Sequence, residues 1–452
     1  MCFFLVTLNT NINDDNSSQE FIPEQQLSAG QILTIIGRML IQCNEKYGLQ
    51  SCKLAYLASE IAVHVNWDKR ISLSHTVLLA LLKFVGDYHF NSEKYIPRED
   101  LTARQVKERY AYAYAYLKNL TPLGEDAHAL LFNDSKYNAA VAKKMVSMEY
   151  ASIIFTAEHI LNLLESTNYA YTEVDFEKYG LSKFNPRYVE IFKIIDANRE
   201  VSRNLRLVEK SDHTVELPCI HEIEKLYSTL KFTKSETDML FKLMIMMLDF
   251  KSTVTVWHTI HTASYAVSIG KYAGCSENEL NEIFTASVLH DLGKMAIPQN
   301  ILEYPGKLRN WEYGLMMNHV KKTEELIADI IPRRIANMAI HHHEKLNGTG
   351  YPRNLSGLEL TKEDQIVEIA DILSALVDRR SYKEEFDNEK IVSIFKEMTD
   401  KGELDEALTL YVSDCFERLQ ERRDFYSKLL ILPLGTVEIQ FQEEMYLDSG
   451  ME

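Results

Sequence analysis

The chain has 452 residues, 46% of them hydrophobic and 25% charged, enough for two or three domains with cores of their own. A formal net charge of -17 argues against polymeric nucleic acid as a partner, which requires a basic stripe, but leaves room for a small phosphorylated ligand in a locally positive pocket. Six cysteines without any CxxC spacing read as free thiols in a reducing compartment, and a cytoplasmic protein is expected.

In chain order, MCFFLVTLNTN carries a short apolar patch without a basic flank, and polar residues end it within a few positions. It is too short for a signal sequence or a membrane span, as is LMIMML at 243–248, so no membrane partner is expected. The polar stretch DDNSSQEF marks residues 1–22 as a lead. QILTIIGRMLIQCNEKYG, CKLAYLASEIAVHV, HTVLLALLKFVGDY and MEYASIIFTAEHILNLLES then repeat apolar residues at i, i+3, i+4 and i+7, the period of buried helix faces. No stretch sustains strand alternation, and the best candidate for a short strand is LPLGTVEIQFQEEM near the C-terminus. The fold class expected is all-α. A polar stretch, EKSDHTVELP, places the main boundary at 210–222, separating an N-terminal helical domain (23–215) from a second domain (216–452).

A faint repeat links the two halves. LLALLKFVGDYHF (78–90) lies over TASVLHDLGKMAI (285–297) at a shift of 207, and RYVEIFKIIDANR (187–199) over QIVEIADILSALV (365–377) is read as extending the match. In this alignment Lys83 and Phe84 face His290 and Asp291, Asp87 faces Lys294, Lys193 faces Asp371, and Ser51 faces His258.

Those positions matter because seven of the fourteen histidines fall between 258 and 343: His258, His261, His290, His319, His341, His342 and His343. His290-Asp291 ends an apolar helix, and alone it reads as a hydrogen-bonded pair. His319 alone reads as a satisfied helix histidine. Asp371 lies on an apolar helical face, where an N-cap, an ion pair or a metal would serve equally. Together, however, His258, His290-Asp291, His319, His342-His343 and Asp371 recur on successive predicted helices, 23 to 32 residues apart. Facing helices of a bundle can bring such residues into one site. Imidazole and carboxylate without thiolate favour iron, manganese or a similar ion over structural zinc.

HDLGK followed by HHEKLNGTGYP resembles the HD-GYP family of the HD phosphohydrolase superfamily, over roughly residues 235 to 400. The resemblance implies a helical-bundle catalytic domain preceded by a degenerate HD-like one. It further implies hydrolysis of a cyclic dinucleotide, cyclic di-GMP or 3',3'-cyclic GMP-AMP, to the linear dinucleotide in bacterial second-messenger signalling. A non-catalytic sensor of the same ligands is the alternative. By the same resemblance His258, His290, Asp291, His319, His342, His343 and Asp371 are metal ligands, with Asp291 bridging two divalent ions, and a hydroxide between the metals is the nucleophile. Lys294 lies near the substrate phosphate. Gly350, Tyr351 and Pro352 shape the pocket, and Arg380 and Lys383 match substrate-contacting bases, though both also read as a solvated basic run. His261 and His341 are surplus, as supporting or surface residues. Val254 stands where some members have the glutamate of a third metal, so two metals are expected. Asn347-Gly348 replaces the usual Asp-Gly, with Asn expected to serve a left-handed turn about as well, and Ser374 replaces a second aspartate. The N-terminal domain is left with regulation, packing or homodimerisation as its role.

Overall fold

The computed structural model describes residues 21–65, 71–91, 93–132, 146–180, 185–209, 215–377, 388–430 and 434–449. Nearly all described secondary structure is helical, in keeping with the all-α reading. The one sheet among the described residues pairs Val208–Glu209 with Val215–Glu216, at the polar stretch between the halves. No helix among the described residues is long and apolar enough to cross a membrane.

The N-terminal half is built on α1 (Ala29–Cys43), α2 (Glu45–His64), α3 (Leu73–Leu81), α4 (Val85–Asn91), α5 (Ala103–Leu120) and α6 (Val146–Ser166). Ser28 and Gln31 form a reciprocal capping box that fixes where α1 starts. Its Ile32, Leu33, Ile35, Ile36, Met39 and Leu40 are all buried. They are buried from two sides, because α1 packs on α2 and also on the helices Pro218–Tyr227 and Lys234–Met246 of the other half. Arg38 on α1 adds ion pairs to Glu224 (3.0 Å) and Asp329 (2.6 Å).

The C-terminal half centres on α7 (Thr253–Tyr272), α8 (Glu277–Leu289), α9 (His319–Ile327), α10 (Arg333–Ile340) and α11 (Lys362–Val377). α7 is the hub, packed against α8, α11 and the later helix Phe416–Leu430.

The expected strand near the C-terminus is instead a helix, α12 (Leu434–Ser449). The alternation of Val437, Ile439 and Phe441 suggests a strand, but helical spacing puts Val437 and Phe441 on one face and Ile439 on the other. Val437 is buried, Ile439 is 60% exposed, and Phe441 packs edge-on to Tyr112 of α5 at 5.7 Å between ring centres. The final helix therefore returns to the N-terminal half.

Over the first part of the repeat, two glycines at the shift of 207 have similar surroundings. A Cβ on Gly86 would come within 2.1 Å of the Arg109 carbonyl oxygen, and one on Gly293, 207 positions later, within 2.1 Å of the His319 carbonyl oxygen. Both glycines permit a close backbone crossing, Gly86 against α5 and Gly293 against the start of α9. Lys83, opposite His290, is fully buried and pairs with Glu158 of α6 at 2.5 Å and with the Tyr110 hydroxyl at 3.1 Å. Asp87, opposite Lys294, pairs with buried Arg109 at 3.1 Å. Fixed ion pairs fill this centre where the other half gathers histidines.

The second part of the alignment is corrected. Residues 187–199 and 365–377 stand at a shift of 178, not 207, and Lys193 lies outside this cluster, paired with Glu173 (2.7 Å) and Glu190 (3.0 Å). α6 packs on α2 as α11 packs on α7, and Glu158 reaches Lys83 as Asp371 reaches His290. Glu158, not Lys193, is the counterpart of Asp371.

Candidate metal centre

Six segments converge. α7 presents His258; α8 ends at Leu289 and hands His290 and Asp291 to a tight turn; a short 3-10 helix, Leu292–Ala296, carries Lys294. α9 begins at His319, α10 ends just before His341-His342-His343, and α11 presents Asp371. All of the expected ligands except His343, which is partly exposed, are buried.

Asp291 is the centre of the arrangement. One carboxylate oxygen lies 3.2 Å from His290 Nε2, 3.5 Å from His258 Nε2 and 2.5 Å from Lys294 Nζ; the other lies 3.4 Å from His319 Nε2. Asp371 stands 2.8 Å from His258 Nε2 and 3.6 Å from His290 Nε2, with its second oxygen 3.7 Å from His343 Nδ1. Donor atoms of His258, His290 and Asp371 gather within 4.8 Å of one another, and so do those of His319, His342 and His343. These clusters can hold metal ions.

The hydrogen bonds behind the rings test that fit. Nδ1 of His290, His319 and His342 contacts the carbonyl oxygens of Ser287 (2.6 Å), Met316 (2.7 Å) and Ala339 (2.7 Å). A carbonyl only accepts, so each Nδ1 carries the proton and, in the neutral ring, each Nε2 turns a lone pair inward. His319 Nε2 and His342 Nε2 then face each other at 3.2 Å, lone pair to lone pair, an arrangement a cation between them would relieve. His290 Nε2 is buried and makes no well-aligned hydrogen bond among the described residues, with only the carboxylates of Asp291 (3.2 Å) and Asp371 (3.6 Å) before it. Ser374 donates its hydroxyl to the His258 carbonyl (3.2 Å) and lies 3.0 Å from His258 Nδ1, which fixes that ring the same way.

For His319, His342 and His343 the electrostatics agree with this donor set. Burial lowers His319 to about 4 and His343 to about 3, and holds His342 well below the usual imidazole range, so these rings are neutral at pH 7 as ligands must be. His290 is the exception: burial works in the same direction, but Asp291 and Asp371 outweigh it and raise it to about 10, so in the metal-free protein this ring keeps both protons at pH 7 and must give one up to act as a ligand. Burial opposes ionisation of Asp291 and Asp371, yet His290 and Lys294 hold the first, and His258 and His290 the second, well below the ordinary carboxylate value.

The GYP turn lies against this cluster. Tyr351 donates its amide to the His343 carbonyl (3.0 Å) and sets its ring 4.7 Å from the His343 ring. The Tyr351–Pro352 peptide is cis. A Cβ on Gly350 would fall 2.4 Å from Glu344 Cα, so only glycine fits. In the Asn-Gly turn it is Gly348 that takes the left-handed conformation (φ 75°). Asn347 contributes through its side chain, accepting from Thr349 N at 3.1 Å, rather than through a φ of its own. Val254, 40% exposed, offers no ligand. Arg380 and Lys383 lie outside the described residues.

Of the surplus histidines, His341 is buried under the turn, between Asp364 (3.2 Å) and Arg353 (3.3 Å), and His261 packs near Trp257. Sequence reasoning missed Glu344. Its buried carboxylate accepts from the amides of Arg353 (2.7 Å) and Leu355 (2.9 Å) and so holds the turn. Its only signal was a charged residue inside an otherwise shaped motif.

A helical bundle with an adjacent His-Asp pair at the hub of a histidine cluster defines an HD domain. Residues 242–408 match the family model described as HD domain. Among curated proteins, 3'3'-cGAMP-specific phosphodiesterase 1 of Vibrio cholerae is 25% identical over 78% of this chain and 84% of its own length. The 3'3'-cGAMP-specific phosphodiesterase 3 of the same organism is 29% identical over 47% of this chain, which spans only 45% of that relative. Among solved structures, a cyclic GMP-AMP specific phosphodiesterase of V. cholerae, V-cGAP3, shares the fold with a TM-score of 0.53 and 17% identity, over 86% of this chain and 97% of that one. That coverage reaches well into the N-terminal half.

Proposed function

We propose that the chain is a metal-dependent phosphodiesterase that opens a cyclic dinucleotide, 3',3'-cyclic GMP-AMP or cyclic di-GMP, to the linear dinucleotide. The observation that carries this is Asp291: its two oxygens face two separate groups of inward-turned imidazoles, the donor set of a bridged pair of divalent ions. His258, His290 and Asp371 would hold one ion, and His319, His342 and His343 the other. With imidazole and carboxylate ligands and no thiolate, iron or manganese suits the site best. Such a pair supplies Lewis acidity, lowering the pKa of a water and drawing charge from phosphoryl oxygens.

The chain's own residues do the rest. Asp291 and the backbone-anchored rings fix the donor geometry, and burial keeps bulk water away from it. Lys294, tied to Asp291 in the free protein, sits where its ammonium can turn to the phosphate and stabilise charge as the 3'-oxygen leaves. Gly350, Tyr351 and Pro352 form one wall for the substrate, and Arg380 and Lys383 are assigned to its phosphates by resemblance. The similarity to relatives named for 3'3'-cGAMP, the first over 84% of its length, supports the substrate class. The N-terminal half, 23–215, is assigned a regulatory or dimerising role, and the reaction is placed in the cytoplasm.

The test is anaerobic turnover of both cyclic dinucleotides by Mn- or Fe-loaded protein, with Asp291→Ala as control. Linear product from the wild type alone is expected, at least a thousandfold above the variant (roughly, from loss of a charge-organising group). Metal and ligand bound tightly without turnover would overturn the enzyme reading in favour of a sensor.

A further inference from the structure

The rings of His319 and His342 meet with Nε2 facing Nε2 at 3.2 Å, lone pair to lone pair. They come from different segments: His319 opens α9, whereas His342 and His343 follow α10. Two lone pairs at that distance repel, so the ties between the segments have to offset the repulsion. A site whose ligands are already in place binds its ion without a further ordering cost.

Arg353, the residue after Pro352, spans the two segments. Its Nη2 donates at 2.5 Å to Glu324 of α9, five residues past His319, and its Nη1 lies 3.3 Å from Nε2 of His341, the neighbour of His342. A guanidinium only donates, so His341 Nε2 accepts, and Nδ1 carries the proton that it gives to the Asp364 carboxylate at 3.2 Å. Asp364 is fixed in turn, because it accepts from the amide and the hydroxyl of Thr361, each at 2.8 Å, in the first turn of α11. The buried His341 ring is therefore held on both sides. The Arg353 backbone is held too, its amide donating to Glu344 at 2.7 Å. One planar fork thus joins α9, the segment 341–343 and the Gly-Tyr-Pro turn.

We propose that Arg353 is a positioning residue whose guanidinium, braced between Glu324 and His341, holds His319 against His342 and His343 at the spacing that one divalent ion needs. This rests on the metal-holding role proposed above for the three histidines. The fork matters because two donors must point in fixed, diverging directions at once, whereas an ammonium on a flexible stem serves as a single point charge. The Arg353 and Glu324 side chains are 41% and 35% exposed, so their ion pair adds little to the stability of the fold. Its contribution is to geometry. The partners of the fork lie on α9 and at His341, not on α7 or the His290 turn, so the group of His258, His290 and Asp371 is expected to keep its affinity.

The experiment compares full-length wild type, Arg353→Met, Arg353→Lys and Glu324→Gln. Binding of Mn to the metal-stripped proteins is followed by calorimetry and by the electron paramagnetic resonance of the coupled metal pair. Thermal unfolding and turnover of 3',3'-cyclic GMP-AMP at rising Mn are measured beside it. Arg353→Met is expected to weaken one of the two Mn equivalents about tenfold, the lower end for lost outer partners of a metal site, and to leave the other within about twofold. The coupled signal at stoichiometric Mn is then lost, Tm is unchanged, and excess Mn restores kcat. Arg353→Lys should resemble Arg353→Met, and Glu324→Gln should shift the same equivalent by less. Two equivalents bound as in wild type would overturn the assignment, as would full activity of Arg353→Lys. Parallel weakening of both equivalents with a lowered Tm would also overturn it, since Arg353 would then merely hold the fold. Wild type that binds both Mn equivalents without cleaving the cyclic dinucleotide removes the substrate reading alone, because the comparison of Mn affinities still decides the role of Arg353. Wild type that binds no Mn removes the metal reading and the positioning role with it.

Discussion

At the scale of single residues, the molecule separates side chains that the sequence announces from those it conceals. Seven histidines crowded before a Gly-Tyr-Pro turn are conspicuous because imidazole is costly to repeat without a purpose, and the fold brings the expected set together. Glu344 and Ser374 are different. Each works by hydrogen bonds to backbone or ring atoms whose positions exist only once the chain is folded, and neither residue type is unusual in sequence. Ser374 shows the consequence: read as the loss of an aspartate, it anchors His258 from behind. Ser374→Ala should leave the fold intact and weaken metal binding at the His258 side about tenfold, as outer partners of ligand imidazoles commonly do. Competition with a chromophoric chelator measures it, and unchanged affinity would show that Asp371 alone orients the ring.

Among the elements, periodicity located most helices correctly because their buried faces recur at helical spacing. It failed at α12, where five residues alternate like a strand and only contact with α5 decides the outcome. It failed again at the second half of the repeat, where similar apolar spacing matched the wrong helix; Glu158 had no mark in sequence to single it out. The packing of Gly86 and Gly293 carries the repeat better than the apolar pattern does, because a backbone crossing tolerates no other residue. The ion pair that fills the N-terminal centre gives a direct test. Lys83→Ala leaves the partly buried Glu158 uncompensated and should cost about 2–3 kcal/mol, below the full cost of breaking a buried pair, whereas the double variant Lys83→Met, Glu158→Leu should stay within about 1–2 kcal/mol of wild type. Urea denaturation of the three proteins measures both, and equal losses in the single and double variants would count against a charge-pair role.

Several links join the two halves of the molecule. α1 is shared, and Glu93 from the N-terminal half accepts from Lys251 Nζ at 2.5 Å and from the Gln299 amide at 3.2 Å. Those two segments flank the candidate site, one leading into the helix of His258 and the other following Lys294. Glu93→Gln should cost about 1 kcal/mol, since Glu93 is itself partly exposed, and should speed amide exchange at Gln299. Exchange unchanged across 297–302 would show that the bridge couples nothing.

The return of α12 to α5 also sets an order of events during synthesis. Domains ordinarily settle as they leave the ribosome, at about 5–20 residues per second. Here the aromatic flank around Tyr112 waits for a helix encoded more than three hundred residues later. For an interval on the order of tens of seconds the growing N-terminal half must keep that flank bare, or lend it to a chaperone, until the last helix arrives to close it.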